Sequence, residues 1–416
     1  MIMNHLVFFF YTIGIHLGNL YIWTVGLFRQ KMQLLRKGRL RTLKLSNQEL
    51  EPFRYCFWMH CASLGEFEQG RPLLEALREK YPHTKIVLTF FSPSGYEIRK
   101  NFGGADLVLY LPSDLPFQSK KLITCLRPRL FITVKYEFWW NLLQQLKKQG
   151  VPTMLIAGIF RKEDYFFHPI ARPFLEILRT FSVIFVQDAA SRHCLEHHRF
   201  QNVQLTGDTR IDRVIQMKQQ AEVSEDILRY TAQNPVVVYG SVWPSDMDVV
   251  NHTIREFPHF CHLVVPHDIH SHNVEIIRGR MESGSSVYTR KPWTGNVLVA
   301  DTVGMLASLY SIARIAYIGG GYGRAIHNTL EPAVFGIPVY MGPKHKKFAE
   351  AAALKQLGVA ISLKSPGQMA EHMKEMEEKP EEYHKIKQQS EEWFTKNKGA
   401  TTQILTGIEQ WMTKQS

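Results

Sequence analysis

Short apolar runs rich in β-branched residues alternate with longer amphipathic runs after residue 50, and this alternation restricts the fold more than any other feature. A first series of apolar runs extends from residues 55–60 to residues 203–205, and a second series begins at residues 236–240. Apolar runs without polar alternation are typical of strands that are buried on both faces. Strands that alternate with helices form parallel sheets covered by helices. The sequence therefore predicts two consecutive α/β domains.

The polar segment 216–234 separates the two series. We predict an N-terminal segment over residues 1–45, a first Rossmann-like domain over 50–213, a second over 214–395, and a C-terminal helix over 396–416. A chain of 416 residues is long enough for two domains of this size. Ligands of open α/β sheets bind beyond the carboxyl ends of the strands. We therefore expect an active site in a cleft between the two domains.

The N-terminal segment has the pattern of a membrane anchor. No Asp, Glu, Lys or Arg occurs before residue 29, and residues 6–28 are nearly continuously apolar. A helix of about 20 apolar residues spans a bilayer. Seven basic residues follow before the next acidic one: Arg29, Lys31, Arg36, Lys37, Arg39, Arg41 and Lys44.

This charge pattern predicts a single uncleaved membrane anchor with residues 29 onward in the cytoplasm. A helix that lies on the membrane surface is the alternative. A cleaved signal peptide fits less well, because no basic region precedes the apolar segment and no small-residue cleavage site follows it.

The formal net charge of +12 and the sequence pI of about 9.3 predict an anionic partner. No dense basic and aromatic block or zinc-finger pattern occurs in the globular part, so we expect no nucleic acid as a partner.

The five cysteines form no C-x-x-C pair and are interpreted as buried thiols in a reducing compartment. Histidines 267, 270 and 272 lack a surrounding ligand framework, so no metal is expected.

A first motif, Ser63-Leu64-Gly65-Glu66, follows the first predicted strand and opens the first predicted helix. Glu66 lies three residues after Ser63, which is the spacing of a capping box. The alternative is a general base, since a carboxylate at the carboxyl end of a strand can take a proton from an incoming hydroxyl. Spacing alone leaves both interpretations open.

A second motif places Glu137 among Tyr136, Phe138, Trp139 and Trp140, also after a predicted strand. One interpretation is a glutamate at a helix N-terminus with core aromatics beside it. The other is a residue of the active site that contacts a sugar or supports the base.

A third motif, the glycine-rich segment 319–323, follows the predicted strand 315–318. We expect a helix N-terminus near Asn328 that offers free N–H groups to an anion. His327, Asn328 and Glu331 fall within one helical turn and are predicted to converge on a ligand. The spacing of the glycines, His327, Asn328 and Glu331 continues to Gly336 and Pro338. This complete pattern is far more specific evidence for a binding site than the glycines alone.

These motifs together resemble the Kdo transferase family, in which Kdo is 3-deoxy-octulosonic acid. The resemblance runs from about Tyr55 to Gly358. Besides the three motifs it is carried by four ordered matches, namely segments 93–95 (Pro-Ser-Gly), 111–116 (Leu-Pro-Ser-Asp-Leu-Pro), 127–130 (Arg-Pro-Arg-Leu) and 342–350 with its Gly-Pro and Phe-Ala-Glu. The family resemblance implies an α/β GT-B fold of two Rossmann-like domains and an inverting transfer of Kdo from CMP-Kdo to a lipid A precursor, lipid IVA. It implies no cofactor.

The resemblance also implies the roles of individual residues. Glu66 would be the general base and Glu137 a second essential carboxylate. The acceptor-binding residues would be Ser63, Gly65, Ser94 and Lys135. The donor-binding residues would be Arg210, Ser241, Pro266, His267, Gly320, Gly321, His327, Asn328 and Glu331, with Glu331 at the ribose hydroxyls and Arg210 at a phosphate. Inner-membrane lipids would be the remaining partner.

Three departures from the family pattern bear on these roles. Lys135 stands where many members have a first glutamate. The second domain opens with Gly240-Ser241-Val242-Trp243 in place of Ala-Ser-Thr-His, and Pro266-His267-Asp268 replaces the common Pro-Arg-His.

A UDP-sugar glycosyltransferase or epimerase, and a membrane scaffold without catalysis, are the alternative functions. The number of Kdo units transferred does not follow from the sequence.

Overall fold

The computed structural model describes residues 2–168, 171–323 and 325–415. These residues divide into two compact units. The first unit is formed by residues up to 212 together with residues from 398 onward, and the second by residues 213–397.

The first unit is built on a seven-stranded parallel sheet. Its strands are β1 (Phe57–Cys61), β2 (Ile86–Phe90), β3 (Leu107–Tyr110), β4 (Leu130–Val134), β5 (Thr153–Gly158), β6 (Val183–Val186) and β7 (Val203–Leu205). Their order is β3-β2-β1-β4-β5-β6-β7. The order reverses between β1 and β4, and such a switch point is where ligands of open α/β sheets bind.

Helices of the first unit connect these strands. They are α1 (Ile2–Val25), α2 (Gln30–Lys44), α3 (Asn47–Leu50), α4 (Leu64–Lys80), α5 (Pro93–Arg99), α6 (Pro116–Leu126), α7 (Trp140–Lys148), α8 (Arg172–Leu178), α9 (Ala189–His197) and α10 (Thr209–Gln219). Gly70 allows α4 to approach the sheet, since a Cβ atom there would lie 2.9 Å from the Met59 sulfur and 3.0 Å from Val134.

The second unit repeats the architecture. Its strands are β8 (Val236–Val242), β9 (Cys261–Pro266), β10 (Ser286–Val287), β11 (Val297–Val299), β12 (Ile315–Ile318), β13 (Val339–Met341) and β14 (Ala360–Ser362). They form a parallel sheet in the order β10-β11-β9-β8-β12-β13-β14, which reverses between β8 and β12. The predicted α/β class with two parallel sheets is therefore confirmed.

Helices of the second unit are α11 (Glu225–Thr231), α12 (Met247–Glu256), α13 (Ser271–Gly279), α14 (Leu306–Ser311), α15 (Leu330–Ala333), α16 (Ala349–Gln356), α17 (Gln368–Glu378) and α18 (Pro380–Asn397). Strand burial explains the apolar runs of the sequence, since β9, β12 and β13 are buried along their whole length.

The chain returns to the first unit with α19 (Ala400–Gln415). Ile404 and Ile408 are fully buried and join the core beneath the first sheet. The Asp212 carboxylate accepts hydrogen bonds from the backbone N–H groups of Gly399 at 2.6 Å and Thr401 at 2.7 Å. The predicted C-terminal helix over 396–416 thus packs as a part of the first unit.

The N-terminal segment forms α1, and one side of this helix packs on the first unit. The Tyr11 hydroxyl donates to the buried Asp114 carboxylate at 2.6 Å, and the Ser113 hydroxyl donates to Asn19 at 2.5 Å. The rings of Phe8 and Tyr11 lie 6.3 and 6.2 Å from Trp140. Among the described residues, no helix combines the length and apolar character that crossing a membrane requires, so the predicted spanning anchor is not found.

Candidate active site

Two carboxylates follow the strands on either side of the switch point of the first sheet. Glu66 comes shortly after β1 and Glu137 shortly after β4, and these strands pair in parallel. The Cys61 thiol is close enough to both carboxylates to be affected by their negative charges. Burial raises the pKa of Cys61 well above its usual range, and the negative charges of Glu66 and Glu137 raise it further. The structure therefore brings the two predicted catalytic residues to the same edge of the sheet.

Glu66 lies in the first turn of α4 and is partly exposed. The predicted capping box does not form, because the Ser63 side chain accepts no hydrogen bond from the first turn of the helix. The Ser63 hydroxyl instead donates to the Glu66 carboxylate. A carboxylate at this end of a helix is stabilised by the helix dipole. Glu66 is thus held in place by Ser63 without being used as a helix cap.

Glu137 is held by Trp139 of the second motif and lies beside His60, which the sequence analysis did not identify. The Trp139 indole N–H donates to the Glu137 carboxylate at 2.8 Å. The same N–H lies 3.2 Å from His60 Nε2, and this nitrogen lies 3.4 Å from the Glu137 carboxylate. His60 is fully buried in β1, whereas the Glu137 side chain is 17% exposed.

The hydrogen bonds of His60 define the tautomer of its neutral ring. Nδ1 lies 3.1 Å from the Thr89 carbonyl oxygen, which only accepts, so Nδ1 carries the proton. Nε2 then accepts from the Trp139 indole. His60 Nε2 therefore faces both the Trp139 indole and the Glu137 carboxylate.

A ring stack extends from Glu137 to the N-terminal helices. Trp139 stacks on Phe91 with ring centroids 4.9 Å apart and an interplanar angle of 20°. The buried Arg39 guanidinium of α2 lies 4.6 Å from the Phe91 centroid on a cation–π contact. α2 is thereby connected to the carboxylate site through two aromatic rings.

The predicted acceptor-binding residues lie at the carboxyl ends of β1, β2 and β4. Gly65 is exposed at the start of α4. Ser94 lies in the first turn of α5, and its hydroxyl is 3.0 Å from that of Ser92. Lys135 adopts a left-handed backbone with φ of 60° immediately after β4. A non-glycine residue is strained in this region, and such strain is concentrated at functional sites.

The glycine-rich segment of the second unit passes very close to neighbouring backbone. A Cβ atom on Gly319 would lie 2.4 Å from the Ser241 carbonyl oxygen, and one on Gly321 would lie 2.6 Å from the Gly342 Cα. Gly320 has φ of 89°, which glycine adopts readily. Ser241 is itself left-handed, with φ of 55°. The glycines are therefore required where this segment meets the ends of β8 and β13.

The buried Asp246 carboxylate fixes the glycine segment to the turn after β8. It accepts hydrogen bonds from the Trp243 backbone N–H at 2.8 Å, from the Gly320 N–H at 2.9 Å and from the Tyr317 hydroxyl at 2.9 Å. Burial raises the pKa of Asp246, whereas these hydrogen bonds lower it. The sequence analysis did not identify Asp246, although it holds together two segments that were predicted to bind the donor.

His327 and Asn328 point to different partners. The Trp243 indole N–H donates to His327 Nε2 at 3.2 Å, and the His327 ring stacks on His267 at 4.3 Å. The Asn328 amide donates to Glu331 at 3.1 Å and its oxygen accepts from the Leu330 N–H at 3.1 Å. The four-residue α15 follows Thr329, so the predicted anion-binding helix is a single turn. A helix thus begins close to the predicted position, although its dipole is small because it is one turn long.

Arg210 pairs with a neighbouring carboxylate. Its guanidinium binds the Asp208 carboxylate through Nε at 3.0 Å and Nη2 at 2.7 Å. Pro266 is buried at the end of β9, next to the exposed His267. Arg324 of the third motif lies outside the described residues. In the ranges that the structure describes, no three His, Cys, Asp or Glu side chains group as metal ligands.

Comparisons with known proteins agree with these motifs. A family model described as 3-Deoxy-D-manno-octulosonic-acid transferase (kdotransferase) matches residues 28–213. The 3-deoxy-D-manno-octulosonic acid transferase of Haemophilus influenzae is 25% identical over 308 residues, which cover 70% of this chain and 72% of that protein. The enzyme of the same name from Aquifex aeolicus is 25% identical over 338 residues, covering 79% of this chain and 88% of that protein.

Among solved structures, the UDP-GlcNAc 2-epimerase from Neisseria meningitidis bound to UDP-GlcNAc is similar, with a TM-score of 0.62. The likeness covers 85% of this chain and 99% of that chain at 14% identity. At this identity the comparison concerns the fold alone, and it agrees with the GT-B fold of two Rossmann-like domains.

Proposed function

We propose that the chain is a member of the family of 3-deoxy-D-manno-octulosonic-acid transferases, and that it transfers Kdo from CMP-Kdo to a lipid A precursor and releases CMP. The observation that carries the proposal is the presence of Glu66 and Glu137 at the same edge of the first sheet, beside Cys61. Both residues lie within the part of the chain that the family model matches.

The reaction is a single displacement at the anomeric carbon of Kdo. Glu66 takes the proton of an acceptor hydroxyl as the oxygen of that hydroxyl bonds to the anomeric carbon, and the bond to the CMP phosphate breaks. The Ser63 hydroxyl, which donates to the Glu66 carboxylate, orients the base. Glu137, fixed by the Trp139 indole, lies next to His60 and is the second carboxylate of this site. A positioned base of this kind contributes about 10²- to 10⁴-fold to a rate.

The donor site belongs to the second unit. The glycines at positions 319–321 let this segment pack against the ends of β8 and β13, and the Glu331 carboxylate, in contact with Asn328, can accept hydrogen bonds from ribose hydroxyls. CMP then leaves as a phosphate monoester, whose negative charge backbone N–H groups and nearby cations stabilise. A UDP-sugar enzyme would use the same fold, so nucleotide preference separates the two functions.

A transfer assay tests the proposed function. Purified full-length protein with lipid IVA and CMP-Kdo generated in place should yield a product heavier by one or more Kdo units, read by mass spectrometry. The number of units added is a result of the same experiment. If the protein gives no product under conditions in which the Haemophilus influenzae enzyme gives one, the donor or the acceptor assignment is wrong.

We also propose that the protein binds the cytoplasmic face of the inner membrane through α1. The side of this helix away from the first unit exposes a row of apolar side chains: Phe9, Phe10, Ile13, Leu17, Leu20, Tyr21 and Trp23. Exposed basic residues follow, including Lys31, Lys37 and Arg41. An amphipathic helix flanked by basic residues lies in the membrane surface and binds anionic lipids. The contacts of Tyr11 and Asn19 keep α1 on the first unit in this arrangement.

Vesicle flotation provides the measurement for this surface. The protein should float with vesicles that contain anionic phospholipid and bind less to purely zwitterionic vesicles. The triple change Phe9→Ser, Phe10→Ser and Leu17→Ser should abolish flotation, whereas Val303→Ser, an exposed apolar residue of the second unit, should not. Flotation of the triple variant at the wild-type level would show that α1 is not the membrane-binding surface.

A further inference from the structure

Helix α7, which begins directly after the second motif, has no capping side chain of its own. Its N-cap residue is Trp139, whose side chain makes no hydrogen bond to the first turn of the helix. The first N–H groups of a helix have no partner within that helix. Residues 140–142 are buried, so their N–H groups need an acceptor from another part of the chain.

The Asp114 carboxylate supplies this cap from a distant part of the sequence. It accepts hydrogen bonds from the Asn141 N–H and the Leu142 N–H, both at 2.8 Å. The Asn141 side-chain amide donates in return to the Asp114 carbonyl oxygen at 2.6 Å. A carboxylate at this place stabilises the start of a helix. Asp114 therefore fixes the first turn of α7, and with it Trp139 and the Glu137 carboxylate that Trp139 holds.

Helix α1 holds the Asp114 carboxylate in turn. The Tyr11 hydroxyl donates to this carboxylate at 2.6 Å and accepts from the Trp140 N–H at 3.4 Å. Asp114 is 3% exposed, and a buried carboxylate is stable only where hydrogen-bond donors surround it. Tyr11 and Asp114 together thus satisfy the first three N–H groups of α7.

A second series of contacts joins the N-terminal helices to the same motif. The Ser113 hydroxyl donates to Asn19 of α1 at 2.5 Å and accepts from Arg39 of α2 at 3.2 Å. The Arg39 guanidinium lies over the Phe91 ring, and this ring stacks on Trp139. The N-terminal helices therefore reach Trp139 both through the start of α7 and through the ring stack.

We propose that Tyr11 and Asp114 are positioning residues for Glu137, so that α1 is part of the framework of the active site as well as the membrane-binding surface. The inference rests on the proposed function, in which Glu137 is the second carboxylate of the site. Tyr11 acts through Asp114 and the first turn of α7. Its ring faces Trp140 of the first unit, whereas the apolar row of α1 is exposed. The two roles of α1 can therefore be separated by substitution.

Tyr11→Phe tests the proposal, because it removes the hydroxyl and keeps the ring against Trp140. The rate of Kdo transfer at saturating donor and acceptor should fall about 3- to 100-fold, since a misplacement of about 1 Å can cost about 10²-fold. CMP affinity and flotation with anionic vesicles should equal those of the wild type. Tyr55→Phe changes an exposed tyrosine of the same unit and should keep the wild-type rate.

A double-mutant cycle distinguishes positioning of Glu137 from a general loss of stability. If Tyr11 acts through Glu137, adding Tyr11→Phe to a Glu137→Gln protein should lower the remaining rate by less than about twofold. If Tyr11→Phe lowers the rates of the wild type and of Glu137→Gln by the same factor, Tyr11 does not act through Glu137 and the proposal is wrong.

Hydrogen–deuterium exchange of residues 135–142 gives a measurement that needs no activity. Tyr11→Phe should make the N–H groups of this segment exchange about 2- to 10-fold faster and leave the exchange of α19 unchanged. If transfer rate and exchange both equal those of the wild type, the positioning role is refuted and the proposed function stands. A wild-type protein that transfers no Kdo, although Tyr11→Phe accelerates exchange in this segment, contradicts the proposed function but supports the link from Tyr11 to α7.

Discussion

Glu66→Gln should lower the rate of Kdo transfer about 10²- to 10⁴-fold while leaving the affinity for CMP unchanged. Glutamine has nearly the shape of glutamate and can still accept a hydrogen bond from Ser63, so the local structure of α4 should persist. It cannot take a proton from the acceptor hydroxyl. The predicted loss is therefore chemical rather than structural.

The measurement is the initial rate of product formation under saturating donor and acceptor, together with calorimetric CMP binding. Glu79→Gln, an exposed glutamate of the same helix, is the matched control and should keep the wild-type rate. A Glu66→Gln protein with a rate within threefold of the control would assign the base to another residue, and Glu137 would be the next to test.

Asp246→Asn should destabilise the second unit by roughly 1–3 kcal/mol and weaken CMP binding. The Asp246 carboxylate accepts from the Trp243 N–H, the Gly320 N–H and the Tyr317 hydroxyl, and it is fully buried. An asparagine has a single acceptor oxygen, so its NH₂ group faces either the two backbone N–H groups or the Tyr317 hydroxyl, and at least one of the three donors loses its acceptor. Each buried donor left without a partner costs about 1–3 kcal/mol.

Urea unfolding followed by hydrogen exchange in the second unit measures this loss, and calorimetry measures CMP binding. Asp248→Asn, two residues further along and exposed, should change neither quantity. The role assigned to Asp246 would be refuted by an Asp246→Asn protein that unfolds at the wild-type urea concentration and binds CMP normally.

The strands were predictable because most are buried on both faces and carry dense apolar sequence. The bounds of β7 and β12 agree with the predicted runs 203–205 and 315–318. β10 and β14 were missed: they are two and three residues long at the ends of their sheet, and such short segments carry little apolar signal.

The candidate site was predictable where residues follow strands in sequence. Glu66 and Glu137 follow β1 and β4, whose parallel pairing brings them to the same edge of the sheet. His60 and Asp246 were not identified, since they contact Glu137 and Gly320, which are distant from them in sequence. The one signal in the sequence was a histidine within an otherwise apolar run. The structure shows that this residue, His60, is fully buried in β1.

Because the chain returns to the first unit at its C-terminal end, the two units can finish folding in a different order from that in which they are synthesised. Residues 213–397 form the second unit as one continuous segment, whereas the first unit requires α19 from the far end of the chain. Domains generally fold as units while the chain emerges from the ribosome. The second unit can therefore fold before the first unit has buried Ile404 and Ile408, even though the first unit is synthesised earlier. Any truncation before residue 398 leaves that part of the core of the first unit open.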